Sequence, residues 1–269
     1  MKIQYLSQYV GSPICIADKA TPIIVPFGPR CSGKSLLLIR LFRYLRSCGN
    51  VITVDNIFIR DQRYKMKCDD YIYGLSSRFP EQLNKIRLPL LGYIISCRGR
   101  KMYQFIDMPG DMFFNRDEID DQSTMYISEI ISCPNPKIWL FLAEPNLPLR
   151  TRTEFVNRIS KICDLSCKKD RFIIVANKVD RLPHLFGNNG VPDVGIVCQE
   201  IKHEFEGLFD LFKETHPIKK LWKPYSFYFT PFYSFDFIEN QHPLRIHSSS
   251  DYYPGFLWKE IIKCTKVKI

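Results

Sequence analysis

The chain has 269 residues, 45% of them hydrophobic, which is enough to build one large domain or two small ones with a full core. Its formal net charge of +10 at pH 7 comes from scattered basic residues, so an anionic partner is compatible with the sequence but a nucleic-acid partner has no support beyond this charge. The 10 dispersed cysteines favour free thiols, and without a long apolar run or a signal-peptide segment we expect a cytoplasmic protein with no membrane span.

The first predicted unit is a buried strand, a glycine-bounded loop and a helix. Residues 21–27 are apolar and indicate a short strand, and residues 35–46 have the apolar spacing of a helix. The loop between them matches the phosphate-loop pattern G-x-x-x-x-G-K-[ST] through Gly28, Pro29, Arg30, Cys31, Ser32, Gly33, Lys34 and Ser35. Backbone N–H groups of such a loop, together with the start of the helix, bind phosphate oxygens. We therefore expect Lys34 to contact the β- and γ-phosphates and the Ser35 hydroxyl to hold Mg²⁺.

An extended segment, a long polar stretch and a hairpin come next. Residues 51–59 are rich in β-branched side chains, whereas residues 60–90 are polar and basic with interspersed aromatics. A connection as long as the latter is usually functional or mobile. Apolar runs at 91–97 and 101–107 flank a short turn that contains Gly99, which predicts an antiparallel hairpin.

The second hairpin strand leads into a D-x-P-G sequence that begins at Asp107. An acidic residue at the carboxyl end of a buried strand lies where α/β sheets present their ligands. Alone, D-x-P-G is equally compatible with an ordinary turn, but downstream of a phosphate loop it indicates a nucleotide site. Asp107 is then a candidate Mg²⁺ ligand acting through water, and the Gly110 amide a candidate sensor of the γ-phosphate.

The second half of the chain is predicted to alternate helices and strands. The pattern indicates helices at 120–132, 152–163, 199–212 and 256–263, strands at 136–143, 171–176 and 225–230, and a loop at 181–198. Within the third of these helices, four apolar side chains are predicted to face the core: Phe205, Leu208, Phe209 and Phe212.

The strand at 171–176 runs directly into Asn177-Lys178-Val179-Asp180. A carboxylate just beyond a strand end can accept two hydrogen bonds from guanine N1 and N2, which adenine cannot offer. A base that left this carboxylate unpaired would be rejected at a cost of about 1–3 kcal/mol. The alternative is a polar exit turn with a lysine–aspartate pair. The position after a sheet strand, downstream of the phosphate loop and the D-x-P-G sequence, favours guanine recognition.

With these three motifs in this order, the chain resembles the Ras-like, translation-factor-related class of phosphate-loop GTPases over residues 22 to 262. Residues 54–60, together with the D-x-P-G sequence, also resemble bacterial double-GTPase proteins of conflict or defence loci. The resemblance implies that a second base-contacting loop would fall at Thr230-Pro231-Phe232, so Thr230 is a candidate nucleotide contact.

The resemblance also shows three departures from the family pattern. The switch I metal ligand is a threonine in the family, and the choice here lies between Thr53 and the serines Ser76 and Ser77. Asp111 stands where a water-positioning glutamine is expected, so it is a candidate catalytic residue whose carboxylate either orients the attacking water or is repelled by the γ-phosphate. Arg30 stands at a loop position that is often glycine, where its guanidinium is a candidate internal arginine finger or, alternatively, an obstruction to a finger supplied by a partner.

The sequence therefore predicts a three-layer α/β fold, a mostly parallel sheet with one antiparallel hairpin strand. We expect a lead-in at residues 1–20 and one GTPase-like domain at 21–269 with an insertion around 60–90. The predicted function is a Mg²⁺-dependent guanine-nucleotide switch that binds GTP and GDP, hydrolyses GTP slowly and acts on a protein effector or regulator. Two alternatives stay open: a nucleotide-dependent interaction module without turnover, and a phosphate-loop kinase of small molecules.

Overall fold

The computed structural model describes residues 21–54, 91–97, 99–107, 130–186, 191–214, 225–233, 235–237, 246–248 and 250–265. The predictions for residues 1–20 and 60–90, for most of the helix at 120–132, and for Gly110 and Asp111 lie outside these ranges. Among the described residues, no helix is long and apolar enough to cross a membrane.

A seven-stranded sheet forms the centre of the fold. Its strands are β1 (Ile23–Phe27), β2 (Val51–Val54), β3 (Leu91–Cys97), β4 (Arg100–Asp107), β5 (Lys137–Ala143), β6 (Arg171–Asn177) and β7 (Tyr228–Phe232). They lie in the order β2-β3-β4-β1-β5-β6-β7. All neighbours from β4 to β7 pair in parallel, whereas β3 runs antiparallel to both β2 and β4. The predicted fold class, a mostly parallel sheet with one antiparallel hairpin strand, is confirmed.

Within the described ranges, four helices cover the two faces of this sheet: α1 (Lys34–Ser47), α2 (Leu149–Leu165), α3 (Val194–Glu204) and α4 (Tyr252–Thr265). Phe42 of α1 packs edge-on against Phe105 of β4, and Phe27 of β1 stacks on Phe155 of α2. Ile24 is the register partner of Phe105 and shares its face, so Phe27, three residues on, lies on the opposite face. Helices α1 and α2 therefore form different layers, with α4 beside α1 and α3 beside α2.

The region 194–212 differs from its predicted structure. Helix α3 begins at Val194 rather than at residue 199, because the Asp193 carboxylate accepts hydrogen bonds from the backbone of Gly195 and Ile196 and caps the helix. It ends at Glu204, and Gly207, three residues later, has a φ of 79° in the turn that follows. The four apolar side chains predicted to face the core are buried, but they lie in turns after the helix.

The last sheet strand also differs from its prediction. Strand β7 begins three residues later than predicted and runs through Phe232, so the segment predicted as a base-contacting loop is strand. Because β7 is the edge strand, Pro231 can lie within it without removing a ladder hydrogen bond from a second neighbour. Two short strands that the sequence did not predict, β8 (Phe235–Phe237) and β9 (Ile246–Ser248), form a separate antiparallel pair.

Candidate functional site

The loop that matches the phosphate-loop pattern joins the end of β1 to the start of α1. Lys34 is buried, and its Nζ donates hydrogen bonds of 2.8 Å to the carbonyl oxygens of Gly28 and Pro29. These contacts hold the ammonium group within the loop. The loop backbone and the positive end of the α1 dipole lie beside it, which is the arrangement that binds phosphate groups.

Both fixed glycines of the loop are required by close contacts. A Cβ added at Gly28 would lie 2.7 Å from the Ser32 Oγ. Gly33 has a φ of 85°, in the left-handed region that favours glycine, and a Cβ there would lie 2.6 Å from the Nδ2 of Asn177. The second glycine is therefore needed partly because another motif packs directly against the loop.

Ser35 and Asp107 lie together, as a shared Mg²⁺ site would require. Asp107 is the last residue of β4, the strand next to β1, and its Oδ2 accepts a 3.2 Å hydrogen bond from the Ser35 hydroxyl. Carboxylate and hydroxyl oxygens are the ligand type that a hard cation such as Mg²⁺ takes, with waters and substrate phosphates completing its shell. The residues present therefore fit a Mg²⁺ ion.

Thr53 is not placed to serve as the switch I metal ligand. It lies exposed in β2, the edge strand, which is separated from β4 by β3. Two strand spacings amount to roughly 10 Å, far more than the length of a metal–oxygen bond. The alternative candidates, Ser76 and Ser77, lie outside the described residues.

The turn after β6 is hydrogen-bonded to the phosphate loop. Asn177, the last residue of β6, donates from Nδ2 to the Ser32 carbonyl at 2.6 Å, and Lys178 donates from Nζ to the Cys31 carbonyl at 2.7 Å. These pairs are separated by 145 and 147 residues in the chain. Two motifs that the sequence analysis identified independently therefore lie in contact. The crevice is the region bounded by the loop 28–35 and the turn 177–181.

Asp180 lies in the short 3-10 turn Val179–Arg181 that follows Lys178, and its side chain is exposed. The turn and the phosphate loop stand at the carboxyl ends of β6 and β1, with only β5 between them. Within this sheet, β2, β3 and β4 lie on one side of β1, and β5, β6 and β7 lie on the other. Ligands of open α/β sheets bind at such a switch point, beyond the carboxyl ends of the strands.

Glu144 belongs to this site, although the sequence analysis did not single it out. It follows β5 directly and is 5% exposed, and its Oε1 lies 2.8 Å from the Lys178 Nζ and 2.6 Å from a guanidinium nitrogen of Arg181. The signal that selected Asp107, an acidic residue at the end of a buried apolar strand, is also present at Glu144.

Two buried polar atoms in the crevice make no hydrogen bond within the part of the chain that the structure describes. They are the Ser32 Oγ and the Asn177 Oδ1, in residues that are 0% and 1% exposed. Buried polar atoms in folded proteins are nearly always paired, so atoms of this kind fit a site that a polar ligand completes.

The remaining predicted residues have different positions. Arg30 and Cys31 are exposed on the phosphate loop. Thr230 is fully buried inside β7, pairs in register with Val175, and donates its hydroxyl to the Pro231 carbonyl at 3.0 Å. It therefore lies within the strand, two residues before the register position of Asn177, rather than in a loop beside the turn that follows β6.

No known protein family matches the chain, and no curated protein matches it. Among solved structures, the chain is similar to the putative nucleolar GTP-binding protein 1 of Plasmodium falciparum. The two share 13% sequence identity with a TM-score of 0.41, over 95% of this chain and 92% of that chain. A similarity of this extent supports no functional assignment, so function has to be argued from the geometry of the crevice.

Proposed function

We propose that the chain is a guanine-nucleotide-binding protein that requires Mg²⁺, hydrolyses GTP slowly and acts as a molecular switch. One observation carries the proposal: Asn177 and Lys178 hydrogen-bond to carbonyls of the phosphate loop, at 2.6 Å and 2.7 Å. These contacts set the turn that carries Asp180 beside the loop that carries Lys34. A nucleotide spans that separation with its phosphates in the loop and its base at the turn.

Each part of the nucleotide has a matching group in the crevice. The loop backbone and Lys34 bind the β- and γ-phosphates, while Ser35 and Asp107 hold the Mg²⁺ that neutralises their charge. The Asp180 carboxylate accepts two hydrogen bonds from N1 and N2 of guanine. Adenine offers no such pair of donors, so these two hydrogen bonds are not made with ATP, which disfavours it.

The hydrolysis part of the proposal rests on fewer groups. Water attacks the γ-phosphate in line, and the charge that develops on the phosphate oxygens is stabilised by Lys34 and by Arg30, which lies on the same loop. Asp111 stands where the family has a glutamine, and a carboxylate beside the γ-phosphate is repelled by it. Turnover is therefore slow in the absence of a partner that supplies a further group.

Titration calorimetry with GTP, GDP and ATP tests the binding proposal. We expect the wild-type chain to prefer guanine nucleotides by at least about tenfold, and the Asp180→Ala variant to lose that preference, because the hydrogen bonds that discriminate the bases are removed. Asp210→Ala is the matched control, since this aspartate is exposed and pairs with Lys213 away from the crevice. ATP binding as tight as GTP binding would contradict the proposal and favour a phosphate-loop kinase.

Hydrolysis needs a separate measurement, single-turnover release of phosphate from bound GTP. Release that depends on Mg²⁺ and is abolished in Lys34→Ala supports the proposed turnover. Tight GTP binding with no phosphate release would contradict it, and would identify a nucleotide-dependent interaction module without catalysis.

A further inference from the structure

Glu144 forms a bridge between the candidate base turn and the end of a neighbouring strand. Its carboxylate is 2.8 Å from the Lys178 Nζ and 2.6 Å from the Arg181 guanidinium, and these two cations flank Asp180 in the chain. The same Lys178 nitrogen donates to the Cys31 carbonyl of the phosphate loop. Glu144 therefore contacts both ends of the turn that presents Asp180, and through Lys178 it is linked to the phosphate loop.

A buried carboxylate at this position calls for a physical explanation. Glu144 is only 5% exposed, and taking a charge out of water is costly unless it is paired. The pairing comes from two long side chains, and the Arg181 side chain is 53% exposed. Well-packed apolar residues would stabilise the fold as effectively as such a pair. The arrangement is better explained by what it does to the turn.

Lys178 has a left-handed backbone, with φ 60° and ψ 40°, which is uncommon for a residue other than glycine. Such a conformation persists only where surrounding contacts impose it. The hydrogen bond to Cys31 and the ion pair with Glu144 are contacts of this kind on the Lys178 side chain. Arg181, anchored to the same carboxylate, fixes the other end of the 3-10 turn.

We propose that Glu144 is a positioning residue for the guanine base. It holds Lys178 and Arg181, and so fixes the orientation of the Asp180 carboxylate before the nucleotide arrives. This inference rests on the proposed guanine-nucleotide binding. If the turn is already ordered in the free protein, binding does not have to supply the free energy for ordering it. Glu144 therefore raises the affinity for the nucleoside part of the ligand.

Removing Glu144 should change the affinity for the phosphates in the opposite direction to the affinity for the nucleoside. Glu144 is an anion close to the loop that binds anionic phosphates, and it neutralises two cations of the crevice. Without it, Lys178 and Arg181 would leave the crevice more positive, which favours a polyphosphate. Binding of a ligand that occupies only the phosphate loop can therefore distinguish two roles of Glu144. Loss of base positioning would leave this binding intact, whereas general damage to the fold would weaken it.

The experiment compares the wild-type chain with Glu144→Gln, using GDP and inorganic triphosphate as ligands in the presence of Mg²⁺. We expect about tenfold weaker GDP binding in the variant, while triphosphate binding is unchanged or tighter. Glu154→Gln is the matched control, because it removes a partly buried ion pair with Arg158 within α2, and this variant should bind both ligands as the wild type does. Arg181→Gln should show the same split, weaker GDP binding with unchanged triphosphate binding, to a smaller extent.

If the wild-type chain binds no guanine nucleotide, the proposed function and this inference both fail. If the wild type binds GDP and Glu144→Gln binds it equally well, only the inference fails. Equal weakening of GDP and triphosphate would show a structural role and would also overturn it. If Glu144→Gln does not fold, Arg181→Gln decides instead: a split supports the inference, and wild-type binding of both ligands overturns it.

Discussion

Two buried carboxylates lie at opposite ends of the parallel strands, one at the amino ends and one at the carboxyl ends, and they are paired in different ways. Asp170 precedes β6 at the amino edge and Glu144 follows β5 at the carboxyl edge. They are almost equally buried, with 4% and 5% of their surface exposed. Burial alone therefore does not distinguish them, and the difference lies in the groups that face each carboxylate.

Asp170 is paired within a closed, local network. It accepts hydrogen bonds from the backbone N–H groups of Lys137 at 3.0 Å and Cys167 at 3.1 Å, and the Lys137 ammonium lies 3.6 Å away. That ammonium in turn donates to the carbonyls of Ile131 and Cys133 at 3.0 Å each. Backbone groups dominate this network, so it fixes how the chain enters β5 and β6.

Among the residues that the structure describes, Glu144 is paired with two side chains, and both belong to the turn after β6. Both partners lie outside the strands of the sheet. Asp170 at the amino edge therefore serves folding. On the proposed binding of guanine nucleotides, Glu144 at the carboxyl edge serves the orientation of the turn that carries Asp180. This distinction predicts which measurement each substitution should change.

The largest expected effect belongs to Asp170→Ala. Removing this carboxylate leaves the Lys137 ammonium buried without its ion partner, and we expect the free energy of unfolding to fall by about 3–5 kcal/mol. Urea denaturation measures the change. Asp164→Ala is the control, because Asp164 is exposed, and it should change stability by less than about 0.5 kcal/mol. Equal stability of the two variants, or a changed preference for guanine in folded Asp170→Ala, would break the comparison.

A smaller effect is expected from Gly33→Ala, which tests the contact between loop and turn. Its control is Gly49→Ala, since Gly49 has a similar φ of 80° but nothing within 4 Å of an added Cβ. Both substitutions carry the backbone strain of about 1–2 kcal/mol in unfolding free energy. Only Gly33→Ala also displaces the Asn177 amide, so it alone should weaken binding of GDP, measured by calorimetry. Equal GDP binding by the two variants would show that this contact does not matter.

The parts of the site that depend on local sequence could be predicted, and those that depend on distant contacts could not. The phosphate loop is defined by consecutive residues, so its place between β1 and α1 follows from the pattern alone. That Asn177 would reach the Ser32 carbonyl required the order β1-β5-β6, which a single sequence only suggests. The bridge from Glu144 to Arg181 joins the ends of two strands, and nothing in either segment alone reveals it.

The errors in the fold have a similar origin. The apolar residues of 205–212 repeat at helical spacing, but turns bury them equally well, so periodicity alone placed a helix there. The predicted strand at 225–230 ends before Pro231, whereas β7 continues through Phe232. At a sheet edge a proline can continue the strand, and whether a strand is at the edge is known only from the topology.

The smallest expected effect is a change in the reactivity of the Cys31 thiol. Measuring it beside the reactivity of Cys167 compares the carboxyl and amino edges of the sheet in the unsubstituted chain. Cys31 is exposed on the phosphate loop and Cys167 is exposed at the amino edge, so both should react with iodoacetamide. Cys163 is an internal reference: burial raises its pKa to about 12, which keeps it a neutral, slowly reacting thiol at pH 8.

At a GDP concentration ten times its dissociation constant, only about a tenth of the molecules are free, so alkylation of Cys31 should slow about tenfold. The rate at Cys167 should not change, because no part of the proposed nucleotide site reaches that edge of the sheet. Peptide mass spectrometry at several reaction times measures both rates in the same sample. Protection of both thiols would point to a general tightening of the fold, and protection of neither would place the nucleotide away from the loop. Protection of Cys31 alone would locate the ligand at the carboxyl edge, on the side of the sheet where Glu144 rather than Asp170 is found.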